Sequence, residues 1–335
     1  MMAEPAAATA PCADMTAIVV TYHPAPDALE RLVQRLRGEV GRIVIVDNES
    51  AGLVERQLRP YADLVEVAAN AENLGVATAQ NQGIARALAR DECRFLLFLD
   101  EDSLPEPGMA GRLRAALRAG PAPDGSGGRA QAAAAPSIVD ERTQQRSWVV
   151  VERGGRPARA MPPDDEGAAP ICASFLVASG TVVPREVLLE LQGMRGRYFI
   201  DHVDTEWCLR ARAAGYRLLV VPQARLRHRL GDSVRRVWFL GWRQVAYHTP
   251  LRDYYMFRNT LLMLRDVPMP LAWRAHFVLR LVKFAAYFLA FAGQRRARLS
   301  FMALGLRHGL AGVSGRLDAA SRRCTALPPT PYDPR

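Results

Sequence analysis

The chain has 335 residues, 49% hydrophobic and 23% charged. That suits one large α/β enzyme with an appendage and excludes a disordered or integral membrane class. The formal charge of +10 is uneven: from Thr205 onward there are 23 Lys/Arg against 6 Asp/Glu, so the first 204 residues are net acidic. Five widely spaced cysteines offer neither zinc spacing nor a disulfide framework, and a reducing cytoplasm is the expected compartment. Residues 1–15 read as a disordered tail without the basic start of a signal peptide.

AIVVTYH (17–23) is a β-branched run ending in polar residues, the pattern of a buried parallel strand. Residues 26–37 place Leu29, Leu32, Val33 and Leu36 on one helical face. RIVIVDN (42–48) and LVEVAA (64–69) are the next strands, 75–90 an Ala-rich helix with a glycine-bearing start, and RFLLFLD (94–100) a fourth strand. The alternation predicts a mainly parallel sheet with helices on both faces. Ligands of such sheets bind beyond the carboxyl ends of the strands. Breaker-rich loops are expected at 121–128 and 152–167, with strands in AAAAPSIVD and SWVVV between them. Further on, VPREVLLELQGM reads as a helix closed by Gly193, and residues 204–216 as a helix capped by Asp204. RLLVVP is a strand, and 271–292 a long helix.

Four polar clusters fall at strand ends. Asp47–Asn48 is either an ordinary turn or an acceptor for a nucleoside. Asn73 and Gly75 precede a helix, which suits either a tight cap or a diphosphate at a helix N-terminus; there is no GxGxxG or GK[ST] pattern. Asp100-Glu101-Asp102 sets two carboxylates on alternate residues, able to converge on Mg²⁺ or Mn²⁺; the plain alternative is a solvated acidic turn. The fourth cluster, 198–233, carries Asp201, Asp204, Glu206 and His228.

Asp47, NLGVATAQNQGI, LDEDS and VDTEWCLRARAAGY followed by His228 occur in the order seen in family 2 inverting glycosyltransferases of the GT-A fold, which residues 16–260 resemble. FIDHVDTEWCLRA, HRLGDS and HTPLRDYYMFRN are similar to bacterial rhamnosyltransferases, with galactofuranosyltransferases as near relatives. The resemblance implies a Rossmann-like GT-A domain with a C-terminal helical appendage. It implies Thr21, Asp47, Asn73 and Asp100 at the donor nucleotide, Asp100, Asp102 and His228 around Mg²⁺ or Mn²⁺, and Asp204 as the catalytic base. Asp201 and Trp207 are near enough in sequence to shape an acceptor pocket. The implied reaction moves a sugar, L-rhamnose from dTDP-β-L-rhamnose, to a saccharide or lipid-linked saccharide during cell-surface polysaccharide synthesis. Transfer of galactofuranose or another hexose from a UDP-sugar, and a non-catalytic nucleotide-sugar-binding scaffold, are the alternatives.

Residues 261–318 read as a basic helical region and 319–335 as a flexible tail. Within 271–292, His276, Arg280, Lys283 and Tyr287 form one stripe, with Trp273, Phe277, Leu281, Phe284, Phe288 and Phe291 beside it. Arg295, Arg296 and Arg298 follow. This pattern suits an anionic membrane surface, which would make the protein peripheral on the inner face of the cell membrane, or equally the catalytic domain or a second subunit of a homo-oligomer. No nucleic-acid-binding motif accompanies the charge.

Overall fold

The computed structural model describes residues 11–120, 130–165, 167–228, 233–238 and 242–318. The expected loop at 121–128, residues 229–232 of HRLGDS and the outer tails 1–10 and 319–335 lie outside the described residues. β1 (Cys12–Thr21) begins inside the expected N-terminal tail. Cys12 and Met15 are buried, and the Cys12 amide donates to Glu39 O at 2.9 Å, so pairing and burial carry the strand beyond its apolar run. α1 (Pro26–Leu36) buries the four residues expected of it, and leads into β2 (Val40–Asn48). A short helix, α2 (Leu53–Leu58), escapes sequence patterning because it is only six residues long. β3 (Val65–Asn70), α3 (Val76–Leu88) and β4 (Phe95–Asp100) complete the alternation.

The second half is more irregular. β5 (Leu104–Pro105), α4 (Met109–Arg118) and β6 (Gln131–Asp140) precede a hairpin of β7 (Val149–Arg153) and β8 (Arg156–Ala160). β9 (Ile171–Ala173), β10 (Val182–Pro184), α5 (Arg185–Leu191), α6 (Val203–Ala213) and β11 (Arg217–His228) follow. The main sheet runs β3-β2-β1-β4-β10-β6-β11-β5, with β9 also on β11. Its long pairings are parallel, while β10 is antiparallel to both neighbours and joins the two halves. One buried cluster packs α1 and α4 on one face; another packs α3, α5 and α6 on the opposite face. This is the expected α/β architecture of parallel strands covered on both sides.

A second hairpin, β12 (Ser233–Trp238) and β13 (Trp242–Tyr247), leads to α7 (Pro250–Asp266), α8 (Leu271–Phe291) and α9 (Arg295–Ala311). The expected boundary at residue 260 therefore falls inside α7, whose Leu262 and Met263 belong to the main core. The aromatic face of α8 turns inward: Trp273, Phe277, Leu281 and Phe288 are buried, and the first two join that core. Of the two readings of this face, packing on the catalytic domain therefore holds for these four residues, while Phe291 is exposed. Arg298 is likewise no surface cation. It is fully buried and its Nη1 donates to Asp253 Oδ2 at 2.7 Å. Among the described residues no helix is long and apolar enough to cross a membrane.

Candidate active site

Parallel register gathers the polar strand ends on one edge. Thr21 aligns with Asp47 and Val20 with Asp100. Thr21 Oγ1 donates to Asp47 Oδ1 at 2.8 Å, and Ser50 adds its hydroxyl (2.6 Å) and its amide (3.2 Å) to the same carboxylate. Thr21, Asp47 and Ser50 are all buried. A carboxylate offers about four acceptor positions, so little of Asp47 remains for a partner from outside. Asn73 Oδ1 accepts the Gly75 amide at 2.9 Å, a local side-chain turn that leads into α3. Gly75 has φ +83°, and a Cβ there would stand 2.5 Å from the Phe199 ring, so glycine is required both by conformation and by close approach.

Three potential ligands converge where β4 ends. His228 Nδ1 lies 3.2 Å from Asp102 Oδ1, and its Nε2 lies 3.8 Å from Asp100 Oδ2. One ligand atom from each residue falls within 4.8 Å of the others. His228 arrives because β11 continues well past RLLVVP and pairs His228 with Asp140 of β6. Ser103 Oγ sits 3.1 Å from His228 Nδ1 and also bonds Ser179 Oγ, which accepts the Asp100 amide at 3.1 Å. Burial opposes the charge on His228, but Asp102 and Asp100 outweigh it and raise its pKa. Burial raises the Asp100 carboxyl against the lowering influence of His228. Two carboxylates and one imidazole match the ligand preferences of Mg²⁺ and, with the nitrogen, more closely Mn²⁺.

Asp204 lies in the first turn of α6. His202 occupies the N-cap with φ +61°, and no side chain caps the helix, so Asp204 is not the cap. Its Oδ1 accepts the Thr205 amide at 2.7 Å and its Oδ2 the Ala178 amide at 3.4 Å, which fix the carboxylate. Burial is the main cause of its raised pKa, ahead of the opposing backbone hydrogen bonds. Asp204 also acts electrostatically on Asp100, so the two carboxylates share one neighbourhood. Glu206 does not join them. It is fully buried and bound by Arg195 (3.2 Å) and Arg210 (2.9 Å). Trp207 is 2% exposed inside the main core, which removes it from an acceptor-facing position. Asp201 accepts Arg252 Nη2 at 2.6 Å, and that pairing outweighs burial and lowers its pKa.

The turn before α6 depends on residues whose role composition and periodicity do not disclose. Phe199, Asp201 and His202 all have positive φ (+65°, +62° and +61°). Asn259 Nδ2 donates to the carbonyls of Tyr198 (2.9 Å), Ile200 (2.6 Å) and Asp201 (3.0 Å), while Arg258 Nη2 donates to Tyr198 O at 3.0 Å. Both side chains are fully buried on α7. The only sequence signal was their place in HTPLRDYYMFRN.

Residues 16–146 match the family model described as Glycosyl transferase family 2. Over 255 residues the chain is 29% identical to the dTDP-rhamnosyl transferase RfbF of Shigella flexneri, spanning 76% of this chain and 81% of that protein. Among solved structures, S. aureus TarS 1-349 in complex with UDP-GlcNAc superposes with a TM-score of 0.51 at 13% identity, over 90% of this chain and 81% of that one. At such identity the likeness concerns the fold alone. GalNAc-T7 with UDP, GalNAc and Mn2+ gives a TM-score of 0.49 at 15% identity over 83% of this chain, which spans only 58% of that one.

Proposed function

Because this chain is a glycosyltransferase with a family 2 domain, we propose that it transfers L-rhamnose from dTDP-β-L-rhamnose, with inversion, to a saccharide or lipid-linked saccharide. The observation that carries this reading is a fixed, half-buried carboxylate, Asp204, standing apart from the Asp100/Asp102/His228 group but within its electrostatic reach. The donor assignment draws its support from the relative at 29% identity.

The chemistry follows from residue types. A sugar hydroxyl is a poor nucleophile at neutral pH, and a carboxylate can take its proton as the bond to C1 forms. Asp204 is suited to that work: two backbone amides aim it, and burial raises its proton affinity. Asp100, Asp102 and His228 would hold Mg²⁺ or Mn²⁺, which when bound offsets the charge that develops on the leaving diphosphate. Asp201 anchors Arg252, whose charge reaches Asp100 on the diphosphate side. Thr21, Asp47 and Ser50 would back the nucleoside side as a buried hydrogen-bonded cluster, with Asn73 shaping the loop beside it. One displacement inverts the anomeric carbon, and a β-L donor yields an α linkage. Residues 16–249 would then form the catalytic core and α7–α9 its buttress, with the outer face of α8 on an anionic membrane surface.

Incubation with a panel of nucleotide sugars, Mg²⁺ or Mn²⁺ and a mixed saccharide acceptor pool tests the reading. Release of dTDP with an α-rhamnosyl product is expected. Turnover of UDP-sugars alone would overturn the donor assignment, and retention of configuration would overturn the mechanism.

A further inference from the structure

The flank of α8 that carries Arg280 is not explained by packing. Three contacts fix its position. Trp273 Nε1 donates to Glu152 Oε2 on β7 at 2.7 Å, and the Arg212 guanidinium of α6 lies 5.1 Å over the Trp273 ring. One turn on, the Phe277 ring meets the His202 ring edge-on at 6.3 Å. His202 directly follows Asp201 and occupies the N-cap position of α6. Residues three apart on a helix are neighbours on its surface, so Arg280 stands one turn beyond that contact, over the start of α6.

The surrounding charges agree with this placement. Asp204 acts most strongly on Arg280, then Asp201, while Arg159 of β8 opposes; burial is the main cause of its lowered pKa. Arg280 also acts on His202, and Arg280, Lys283 and Arg159 all act on His276. Yet Arg280 and Arg159 are both solvent-reachable. Among the described residues neither has a carboxylate within 4.0 Å, whereas the exposed Arg118, Arg225 and Arg227 are paired. No Asp or Glu occurs anywhere in residues 267–316 to neutralise this side. β8 packs against α8, so these two exposed guanidiniums stand on facing elements with no carboxylate partner, and an anion between them would offset the charge of both.

We propose that Arg280 and Arg159 form a binding site for an anionic oxygen group, a phosphate or a carboxylate, carried by the acceptor just outside the Asp204 carboxylate. Asp100, Asp102, Asp201 and Asp204 would repel an acidic acceptor; this pair counters that repulsion, and guanidinium forks suit both anions. The donor side carries cations of its own, since His228 and Arg252 act on Asp100. The proposal rests on the reading of Asp204 as the base.

The test uses the full chain saturated with Mn²⁺ and dTDP, so that the donor side is filled. Geranyl phosphate, octyl glucuronide and neutral octyl glucoside are titrated by calorimetry into wild type, Arg280→Gln, Arg159→Gln and the double variant, with Arg296→Gln as a remote control. Charge-assisted hydrogen bonds predict a loss of about tenfold or more in anion affinity for Arg280→Gln, no loss for Arg296→Gln, and dTDP affinity within about twofold of wild type. Binding of the phosphate alone identifies a lipid phosphate as the source; binding of the glucuronide alone identifies an acidic sugar. Equal binding of the neutral glycoside, or anion binding indifferent to both arginines, overturns the proposal. Loss of dTDP affinity in Arg280→Gln also overturns it, by assigning Arg280 to the donor. If rhamnosyl transfer fails while geranyl phosphate still binds through Arg280, only the donor assignment falls.

Discussion

Asp204 combines two properties that rarely coincide without a role: its carboxylate is fixed by backbone amides, and its pKa is raised by burial beside other acids. Asp204→Asn keeps size and one acceptor oxygen but cannot take a proton, so transfer should fall by about 10²–10⁴ while calorimetric affinity for Mn²⁺ and dTDP persists. Near wild-type turnover would remove Asp204 from the chemistry. The raised pKa has two signed consequences. The base form appears only above that pKa, so kcat/KM should climb with pH through a limb lying above the ordinary aspartate range, and the Asn variant should lack it. Because the folded state binds this proton more tightly than the unfolded chain does, Asp204 loses stability as pH rises from its ordinary value through the folded one. Metal-free Asp204→Asn should accordingly melt higher than wild type at neutral pH. Asp100→Ala and Asp102→Ala each remove one of three converging ligands. Calorimetry should show weaker Mn²⁺-dependent dTDP binding in both; unchanged affinity in both would count against a metal site.

Elements set the angles at which those residues meet. α6 begins from a turn with three non-glycine residues at positive φ, each costing on the order of 1–3 kcal/mol. The turn persists because one buried amide, Asn259 on α7, shares its two N–H donors among three of its carbonyls, with Arg258 also on Tyr198 O. Asn259→Ala takes this donor from the Ile200 and Asp201 carbonyls, at about 1–3 kcal/mol for each group left unsatisfied, while Tyr198 O keeps Arg258. The expected result is a lower melting temperature and a fall in kcat with dTDP affinity nearly kept. A drop in dTDP affinity with unaltered kcat would contradict a positioning role. The C-terminal helices depend on another close approach. A Cβ at Gly305 would lie 2.6 Å from Tyr254 O, so α9 can seat on α7 only with glycine there. Gly305→Ala should destabilise by about 1–3 kcal/mol, read as a shift in the denaturation midpoint; an unshifted midpoint would show that α9 adds nothing to the fold.

At the scale of the whole molecule, α8 is apolar on two sides. Its inward side carries Trp273 and Phe277 into the core, so cutting the chain at Val267 would open that core instead of merely removing an appendage. Its outward side exposes Leu271 (79%), Val278, Leu279 and Val282 (59%), which recur at helical spacing. Lys283 lies beside them, and Arg295 and Arg296 are exposed just beyond. Val278→Asp, Leu279→Asp and Val282→Asp together should reduce flotation with anionic liposomes several-fold while leaving turnover of a soluble acceptor intact. Each nearby cation contributes about 1 kcal/mol at an anionic surface, so added salt should weaken what binding remains. Wild-type protein that ignores such liposomes at low salt would refute the membrane surface.

Local pattern alone determined much of this protein. Short continuous apolar runs located β1–β4, and helical spacing, composition and end signals located α1, α3, α6 and α8, because each is buried by residues of its own segment. The strand-end acids Asp47, Asp100 and Asp102 were legible for the same reason: a parallel strand's polar end projects at the ligand edge. What the pattern could not reveal depends on partners far away in the chain. Whether Trp207 and the aromatic side of α8 meet an acceptor, a membrane or a core was decided by what packs against them. That Glu206 is neutralised while Asp204 stays available follows from where Arg195 and Arg210 fall. His228 reaches Asp102 only because β11 runs on beside β6, and Asn259 reaches the turn at 198–201 only across the interface of α7. Such pairings span dozens of residues and leave no periodic trace, so only the tertiary structure could decide them.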